Sequence, residues 1–330
     1  MSRYLLVGDI HVRLDNFDEI DILLAQVVQV LRQEPNLKIV LLGDILHSFE
    51  KVFTQCMNKA CEFIKTCASL TTTYILVGNH DYINQYQFQT DQHWMNPLKQ
   101  WNGVHIIDRA TQVDDVLMCP FVPNGRLLEA LGTQMNWKTF TRLVLCHQEI
   151  KGCKMGTIVS DGGDVWPIDY PQIIGGHIHE TQNIGTNVYY PGAPLQHSFG
   201  DYQHQRVLCI VEVLPGGAVK KDEIILHVPT KQIHRLGVEE LKVQSQGWVG
   251  GEKHKVFLTD LTTEQFKLFK KSMEYQSLVG RGVQIHVQPP LRLNVSQGPL
   301  REDKAPVSFK EMVRMGAVRS NIVETFQKYF

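Results

Sequence analysis

Short apolar runs recur along the first two thirds of the chain, and a glycine or a polar residue ends each of them. Four clear runs are Tyr4–Val7, Ile39–Leu42, Tyr74–Val77 and Leu143–Cys146. Runs that are apolar throughout are typical of strands buried on both faces of a parallel sheet. After the first run, apolar residues at helical spacing predict a helix, with Asp15 or Asn16 at its N-cap. Strand, helix and strand in this order predict an α/β fold built from βαβ units.

Side chains with oxygen and nitrogen ligand atoms follow the apolar runs. They are Asp9 and His11, Asp44 and His47, Asn79 with His80 and Asp81, His147, and, after Ile173 and Ile174, His177 and His179. The carboxyl ends of parallel strands meet at one edge of a sheet, where open α/β sheets bind their ligands. These clusters are therefore expected to converge on one rim. Asp44 is expected at its centre, because a carboxylate can bridge two cations.

The set of side chains at this rim suits two divalent cations, which in two-metal sites lie about 3.5–4 Å apart and share a ligand. One ion is assigned Asp9, His11, Asp44 and His179, and the other Asp44, Asn79, His147 and His177. Mixed carboxylate, amide and imidazole ligands suit Mn²⁺, Fe or Zn²⁺ better than Ca²⁺. His80 and His47 remain as candidate catalytic groups, and Asp81 is expected to orient the His80 imidazole or favour its protonated form. A single histidine at a strand end usually has a structural role. A purely structural role would here have to account for all five groups of polar residues at strand ends, which favours metal binding.

These motifs together resemble the signature of the calcineurin-like metallophosphoesterases, over most of residues 1–228. The matching segments are Gly8-Asp9-Ile10-His11, Gly43-Asp44, Gly78-Asn79-His80-Asp81, His147 and Gly176-His177-Ile178-His179. His47, three residues after Asp44, is similar to a feature of the nuclease subunit of the SbcCD and Mre–Rad DNA-repair complexes. Tyr190–Pro194 followed by Ser198–Asp201 resembles the same subunit. The short chain is also similar to the recombination endonuclease subunits of large bacteriophages.

The resemblance implies a domain organisation as well as a fold. Residues 1–228 are expected to form a four-layer α-β-β-α sandwich, and 229–288 a small α+β capping domain. A proline-rich linker at 289–306 and a helical ATPase-binding element at 307–330 are expected to follow. The C-terminal third matches the family by layout and not by motif.

The resemblance further implies an activity. The expected enzyme is a Mn²⁺-dependent phosphodiesterase that cuts DNA from its ends, with 3′→5′ exonuclease and some endonuclease activity, in replication, recombination and repair. Its cofactors would be two divalent ions, Mn²⁺ first and Mg²⁺, Fe or Zn²⁺ as alternatives. His80 would protonate the leaving oxygen or stabilise its charge, with His47 in support. The expected partners are double- and single-stranded DNA, an SMC-like ATPase of the SbcC/Rad type and a second copy of the chain.

The composition shows an uneven distribution of charge along the chain and bears on the cellular location of the protein. Val219–Phe330 carries a net charge of +6 and the remainder −7. An acidic catalytic half suits cations and a mildly basic second half suits a polyanion, but charge alone favours the simpler explanation of a solvated surface. Seven cysteines without paired spacing predict reduced thiols in a cytoplasmic protein. The resemblance implies that this cytoplasm is that of a bacterium or of a phage-infected cell. No stretch is long and apolar enough for a membrane span.

Two other interpretations of the sequence stay open. One is a different enzyme on the same scaffold, such as a protein phosphatase, a cyclic-nucleotide phosphodiesterase or a nucleotidase. The other is a scaffold subunit that keeps its metals without cutting. The presence of both His80 and His47 argues against a non-enzymatic role. A panel of phosphodiester and phosphomonoester substrates separates these interpretations.

Overall fold

In the computed structural model, residues 2–49, 51–201, 205–214, 217, 219–248 and 250–288 are described. The strands are β1 (Ser2–Val7), β2 (Lys38–Leu41), β3 (Thr73–Leu76), β4 (Val104–Ile107), β5 (Thr111–Val113), β6 (Val116–Cys119), β7 (Leu143–His147), β8 (Lys154–Met155), β9 (Ile158–Val159), β10 (Gln172–Gly176), β11 (Gln182–Ile184), β12 (Val188–Tyr190), β13 (Val207–Val213), β14 (Val219–Ile225), β15 (Lys231–Leu236), β16 (Lys253–Leu258) and β17 (Gln284–Val287). The α-helices are α1 (Phe17–Gln33), α2 (Thr54–Leu70), α3 (Leu127–Leu131), α4 (Trp137–Phe140), α5 (Val238–Gln244), α6 (Thr263–Phe269) and α7 (Met273–Gly280).

Two six-stranded sheets form the main body. The first has the order β14-β13-β1-β2-β3-β4, with β1 to β4 parallel and β13 antiparallel to β1. The second has the order β11-β12-β10-β7-β6-β5, with β12, β10, β7 and β6 parallel. Since the central strands are parallel in both sheets, their carboxyl ends share an edge, and the sequence motifs follow those ends.

The continuous apolar runs are explained by burial on both faces of each sheet. In β1, Leu5 and Val7 pack in the same core as α1 and α2. Tyr4 and Leu6 point to the opposite face and pack in the core that also holds Leu145 of the second sheet. A strand alternates its side chains between faces, so a strand between two apolar layers needs an apolar residue at every position. Helices α3 and α4 cover the outer face of the second sheet, and the four layers confirm the predicted α/β sandwich.

A smaller, all-parallel sheet of order β15-β16-β17 occupies residues 231–287. Its core is a separate cluster of buried residues, namely Leu236, Leu241, Val256, Leu258, Leu278, Val283 and Ile285. The described residues up to Gln288 fall in one compact unit. The proposed boundary between 228 and 229 therefore stays a prediction.

A buried ion pair fastens the start of this small sheet to the main body. The Nζ of Lys231 lies 3.1 Å from Oε2 of Glu19 on α1, and the two side chains are only 5% and 4% exposed. The same ammonium donates to the backbone carbonyl of Gln196. In return, Gln196 Oε1 accepts from the Lys231 backbone N–H at 2.7 Å. Lys253 of β16 adds a second cation, with its Nζ 2.5 Å from Oε1 of Glu19.

Local backbone geometry and hydrogen bonds set the ends of several helices. Residues 127–140 form two short helices, α3 and α4, with Asn136 in the left-handed region between them. Helices α6 and α7 are also separate, because the Ser272 hydroxyl accepts from the Tyr275 backbone N–H and starts α7. Asn16 precedes α1 but its side chain makes no cap hydrogen bond. Its amide instead binds the backbone of Arg13 and His11, at 2.8 and 3.0 Å.

Other expectations concern the cysteines, the membrane and the C-terminal segment. All seven cysteines are free thiols. Among the residues that the structure describes, no helix has the length and apolar character to cross a bilayer. The predicted linker at 289–306 and helical element at 307–330 lie outside the described residues.

Candidate metal centre

The backbone at three of the strand ends adopts a conformation that non-glycine residues rarely take. His11, Asp44 and His177 have φ angles of 43°, 49° and 79°. Left-handed conformations cost free energy for residues with a Cβ, and they persist where surrounding contacts hold them in place. Here they turn the chain sharply after β1, β2 and β10. The strained backbone conformations therefore occur at residues that the sequence predicts to be metal ligands.

Two glycines at this edge allow the close approach of neighbouring chain segments. A Cβ on Gly78 would lie 2.2 Å from Oδ1 of Asp44, and one on Gly176 would lie 2.7 Å from Oδ1 of Asp9. Neither position has room for a side chain. The glycines therefore let the loops after β3 and β10 pack against the two carboxylates.

Asp44 lies between two groups of ligand atoms, as predicted from its central position. One group comprises Asp9, His11 and Asp44, and the other Asp44, His147 and His177. In each group the ligand atoms lie within 4.8 Å of one another. The Asp44 Oδ2 is 3.5 Å from Nε2 of His11 and 3.4 Å from Nε2 of His147. This carboxylate is the residue that the two groups share, while the assignment of each residue to an ion stays a prediction.

Asn79 joins the second group through its side-chain oxygen. The Oδ1 atom lies 3.0 Å from Nε2 of His147 and 2.9 Å from Nδ1 of His177. The Nδ1 of His147 is 2.8 Å from the carbonyl oxygen of Leu42, which can only accept a hydrogen bond. The neutral His147 ring therefore carries its hydrogen on Nδ1, and its Nε2 lone pair faces Asn79 and Asp44.

His179 lies beside the first group. Its Nε2 lies 3.6 Å from Oδ2 of Asp9. Asp9 is held in turn by the backbone N–H of His177, which donates to both carboxylate oxygens at 3.1 and 2.9 Å. The loop after β10 thus supplies an imidazole and also fixes the carboxylate contributed by β1.

His80 and His47 lie together at the outer side of the centre. The Nδ1 of His80 is 2.6 Å from the carbonyl oxygen of His47, and its backbone N–H donates to Oδ1 of Asp44 at 2.8 Å. The two imidazoles stack at a centroid distance of 5.6 Å. The Nδ1 of His47 is 3.4 Å from Nδ1 of His11. His47 therefore orients His80 through its main chain and contacts the ligand group through its ring.

The structure gives Asp81 a different place from the predicted one. Its carboxylate accepts hydrogen bonds from the backbone N–H groups of Ile45, Leu46 and Gly78, and from the Trp94 indole at 2.9 Å. The predicted contact was with the His80 imidazole, whose Nδ1 hydrogen bond goes instead to His47. Asp81 is a support for the turn that carries Asp44. Backbone N–H groups can bind a carboxylate in place of an imidazole. The position of Asp81 next to His80 in the sequence therefore does not show which of these groups binds its carboxylate.

Burial and mutual repulsion or attraction shift the pKa values of these groups. Burial, with the nearby Asp44 charge, raises the pKa of Asp9 to about 7. Burial disfavours a charged His147, but the attraction of Asp44 and Asp9 outweighs it and raises its pKa to about 9. Burial, together with the neighbouring His147, lowers the pKa of His177 to about 4. In the absence of metal ions, Asp9 and His147 therefore hold protons for part or all of the time near neutral pH.

A histidine that sequence reasoning missed completes the inner wall. His197 is 6% exposed, and its ring lies 4.7 Å from the His11 ring and 4.8 Å from the His179 ring. Its Nε2 is 2.9 Å from the backbone carbonyl oxygen of Asp9. His197 follows a turn and not an apolar run, so the strand-end pattern gives no signal for it. Its position between Pro194 and Ser198, within a segment that resembles the nuclease subunits, is the only hint in the sequence.

The donor atoms fit divalent metal ions. His147 Nε2, Asn79 Oδ1 and Asp44 Oδ2 are all acceptors when the imidazole is neutral, and they converge within hydrogen-bonding distance or close to it. Acceptors so placed repel one another unless a proton on His147 or a metal cation lies between them. The hydrogen bond from His147 Nδ1 to a backbone carbonyl is the arrangement that fixes metal-binding histidines.

Comparison with known proteins agrees with this geometry. Residues 2–181 match the family of calcineurin-like phosphoesterases (Metallophos). The chain belongs to this family. It is similar to two curated viral proteins, each 35% identical. "Putative phosphoesterase 078R" of Invertebrate iridescent virus 3 aligns over 84% of this chain and 82% of its own length. "Putative phosphoesterase 244L" of Invertebrate iridescent virus 6 aligns over 82% and 98%.

A solved structure is also similar, although distantly. It is the calcineurin-like phosphoesterase YfkN from Bacillus subtilis, matched over 68% of this chain and 90% of that chain with 13% identity and a TM-score of 0.36. The family match, together with the groups of histidines and aspartates, makes this chain a metallophosphoesterase that uses divalent metal ions.

Proposed function

We propose that this metallophosphoesterase is a Mn²⁺-dependent DNA phosphodiesterase that degrades DNA from its ends, with 3′→5′ exonuclease and some endonuclease activity. The observation that carries the proposal is the place of His47. Its carbonyl holds Nδ1 of His80, and its ring contacts His11. A histidine three residues after the shared aspartate is the feature that resembles the DNA-repair nuclease subunits.

His80 is suited to the leaving group of a phosphodiester. Because its Nδ1 hydrogen is engaged by the His47 carbonyl, Nε2 is the ring nitrogen left to exchange a proton with substrate. The imidazolium form can donate from Nε2 to the leaving oxygen, a general-acid step worth roughly 10²–10⁴-fold in rate. The hydrogen bond from its backbone to Asp44 holds the ring next to the proposed ions.

Asp9, His11, Asp44 and His179 would hold one ion, and Asp44, Asn79, His147 and His177 the other. When bound, two divalent ions neutralise charge on the phosphoryl oxygens and lower the pKa of an attacking water. The His177 backbone N–H keeps Asp9 in place for this role. His47 and His80 remain outside the ligand set and face the substrate side.

An aromatic side chain beside His80 supports a nucleic-acid substrate. The Phe49 ring stacks on His80 at 4.2 Å between centroids and 24° between planes, and it is 39% exposed. An exposed aromatic next to the reacting phosphate can stack on a base, a contact that favours single-stranded or frayed ends. A cavity of about 460 Å³ beside His177 and His179, lined also by Lys154 and Ser198, is large enough for a nucleotide.

A substrate panel with Mn²⁺ tests the proposal. Linear duplex DNA labelled at either end, closed circular DNA, bis-p-nitrophenyl phosphate, a phosphopeptide and a cyclic nucleotide are compared. We expect linear DNA to be shortened with 3′→5′ polarity, and the phosphopeptide and cyclic nucleotide to react far more slowly. The His80→Ala protein, purified in parallel, reveals any contaminating nuclease. Preferential hydrolysis of the phosphopeptide or the cyclic nucleotide would contradict the proposal and favour a phosphatase or cyclic-nucleotide phosphodiesterase.

The proposal includes an SMC-like ATPase partner, which binds through residues 307–330. This segment contains Phe309, Met312, Val313, Phe326 and Phe330, more apolar surface than so short a segment can bury within itself. Truncation after Pro290 is expected to preserve melting temperature, metal content and ATP-independent cleavage, and to abolish co-purification with the ATPase. A truncated protein that still captures the ATPase would refute this part of the proposal.

A further inference from the structure

His197 has a nitrogen whose bonding capacity is unused in the described part of the molecule. Its Nε2 lies 2.9 Å from the Asp9 carbonyl oxygen, which accepts only, so the ring hydrogen is on Nε2. The other ring nitrogen, Nδ1, therefore carries a lone pair. It is buried, and among the described residues it has no hydrogen-bond partner. A buried acceptor without a partner is uncommon in folded proteins and calls for an explanation.

The surroundings of His197 are those of a metal ligand. The ring nitrogens of His11, His179 and His197 form a group whose ligand atoms lie within 4.8 Å of one another. Two nitrogens bound to one ion at about 2.1 Å each lie at most about 4.2 Å apart, so small shifts bring the three to one ion. His11 and His179 are also the imidazoles that accompany Asp9 in the first ligand group.

The segment around His197 is held in place from both sides. On its C-terminal side, the Asp201 carboxylate accepts from the backbone N–H groups of His197 and Ser198, at 2.8 and 3.1 Å. On its N-terminal side, the Gln196 amide pairs with the backbone of Lys231, at 2.7 and 3.0 Å. A ligand that is fixed before the ion arrives costs little ordering on binding.

We infer that His197 is a further imidazole ligand, through Nδ1, of the ion held by Asp9, His11 and His179. This ion would then have three histidine ligands, against two for the ion near Asn79. The inference deepens the proposed function, because it concerns the same metal centre. It assigns the ring to metal binding and not to contact with DNA.

Mn²⁺ binding to the full chain tests the inference without any substrate. Titration of metal-free protein with Mn²⁺ alone is compared for wild type, His197→Ala, His197→Gln and the control His105→Ala, an exposed histidine remote from the centre. We expect both His197 variants to lose roughly 10–100-fold or more in affinity for one of the two ions, since even supporting residues of metal sites have effects of this size. The control is expected to match wild type.

Pulsed EPR on the Mn²⁺-loaded proteins distinguishes a ligand from a support. The number of imidazole nitrogens coupled to Mn²⁺ is expected to be five in wild type and four in the variants. Four in wild type would overturn the inference even if neither variant folds. An unchanged affinity, or a lower affinity with an unchanged nitrogen count, would overturn it as well. Intact Mn²⁺ binding with no cleavage of DNA would refute the proposed nuclease function and leave this inference standing.

Discussion

The two sheets contribute to the centre in different ways. The loops after β1, β2 and β3 supply both carboxylates, the amide, one ligand imidazole and the two candidate catalytic imidazoles, namely Asp9, Asp44, Asn79, His11, His47 and His80. From the second sheet, the end of β7 and the loop after β10 supply imidazoles, namely His147, His177 and His179. The first sheet thus carries the carboxylates and the candidate proton-transfer groups, and the second carries imidazole ligands.

This division indicates that residues after the strands of the first sheet carry out proton transfer. Residues of the second sheet complete the coordination of the metal ions. Asp44 is the carboxylate that both ligand groups contain. Substitution of a second-sheet ligand is therefore expected to lower the metal content. Substitution in the first sheet is expected to lower either the metal content, at a ligand, or the turnover, at a candidate catalytic histidine.

The largest effect is expected from Asp44→Ala. Asp44 is the carboxylate shared by both groups, so its removal should abolish binding of both ions and all phosphodiesterase activity. Metal analysis of the purified variant checks this, with Asp161→Ala as the control, because Asp161 is 93% exposed in a surface ion pair. Two retained equivalents of metal would refute the bridging role.

His147→Ala should remove one ion and keep the other. Its Nε2 lies with Asn79 and Asp44 in the second group, whereas the Asp9 group has its own ligands. We expect about one metal equivalent per chain and a large loss of activity, measured on the same preparation. Loss of both ions would show that the second sheet does more than complete the coordination. His105→Ala serves as the matched histidine control.

His80→Ala should keep both ions and lose turnover by roughly 10²–10⁴-fold, the contribution of one general acid. The His80 ring is held by the hydrogen bond from Nδ1 to the His47 carbonyl oxygen, which leaves Nε2 for proton transfer. Metal content and kcat on bis-p-nitrophenyl phosphate are measured together. Since the single nitrophenolate released in each turnover of that substrate leaves without a proton, the loss should be smaller there than on DNA. Equal losses on both substrates would argue for charge stabilisation instead.

Mn²⁺ affinity should rise with pH. In the metal-free protein the pKa of Asp9 is about 7 and that of His147 about 9, so both groups hold protons at neutral pH. Metal binding must displace these protons, and affinity therefore weakens as pH falls below these values and levels off above them. Titrations at pH values between about 6 and 9.5 measure the slope, which approaches tenfold per pH unit for each proton released. A flat profile would contradict the shifted pKa values.

The smallest effect is expected from Phe49→Ala. If Phe49 stacks on a base of the substrate, its loss should raise KM for DNA about tenfold, within the range of about 1–3 kcal/mol for such stacking. KM for bis-p-nitrophenyl phosphate should change little. Phe140→Ala, at an exposed position on the second sheet's helical layer, is the control. Parallel changes on both substrates would indicate that Phe49 supports His80 and not the DNA.

The sequence predicted those parts of the centre that depend on strand ends. Four-residue apolar runs require burial on both faces, and a parallel sheet brings their carboxyl ends to one edge. The structure brings the seven predicted ligands together for this reason. It could not be predicted that Asp81 would be bound by the amides of Ile45 and Leu46, which are 36 and 35 residues away. His197 follows a turn after β12, and only the folded chain places it beside Asp9.

The buried pair of Glu19 and Lys231 has a consequence for how the protein unfolds. Pulling the small parallel sheet away from the main body would break this ion pair and the hydrogen bonds between Lys231 and Gln196, and would expose to water the surface that buries them. The three-stranded sheet is too small to offset that cost with its own core. The two regions should therefore melt together, in a single cooperative transition and not in two successive steps.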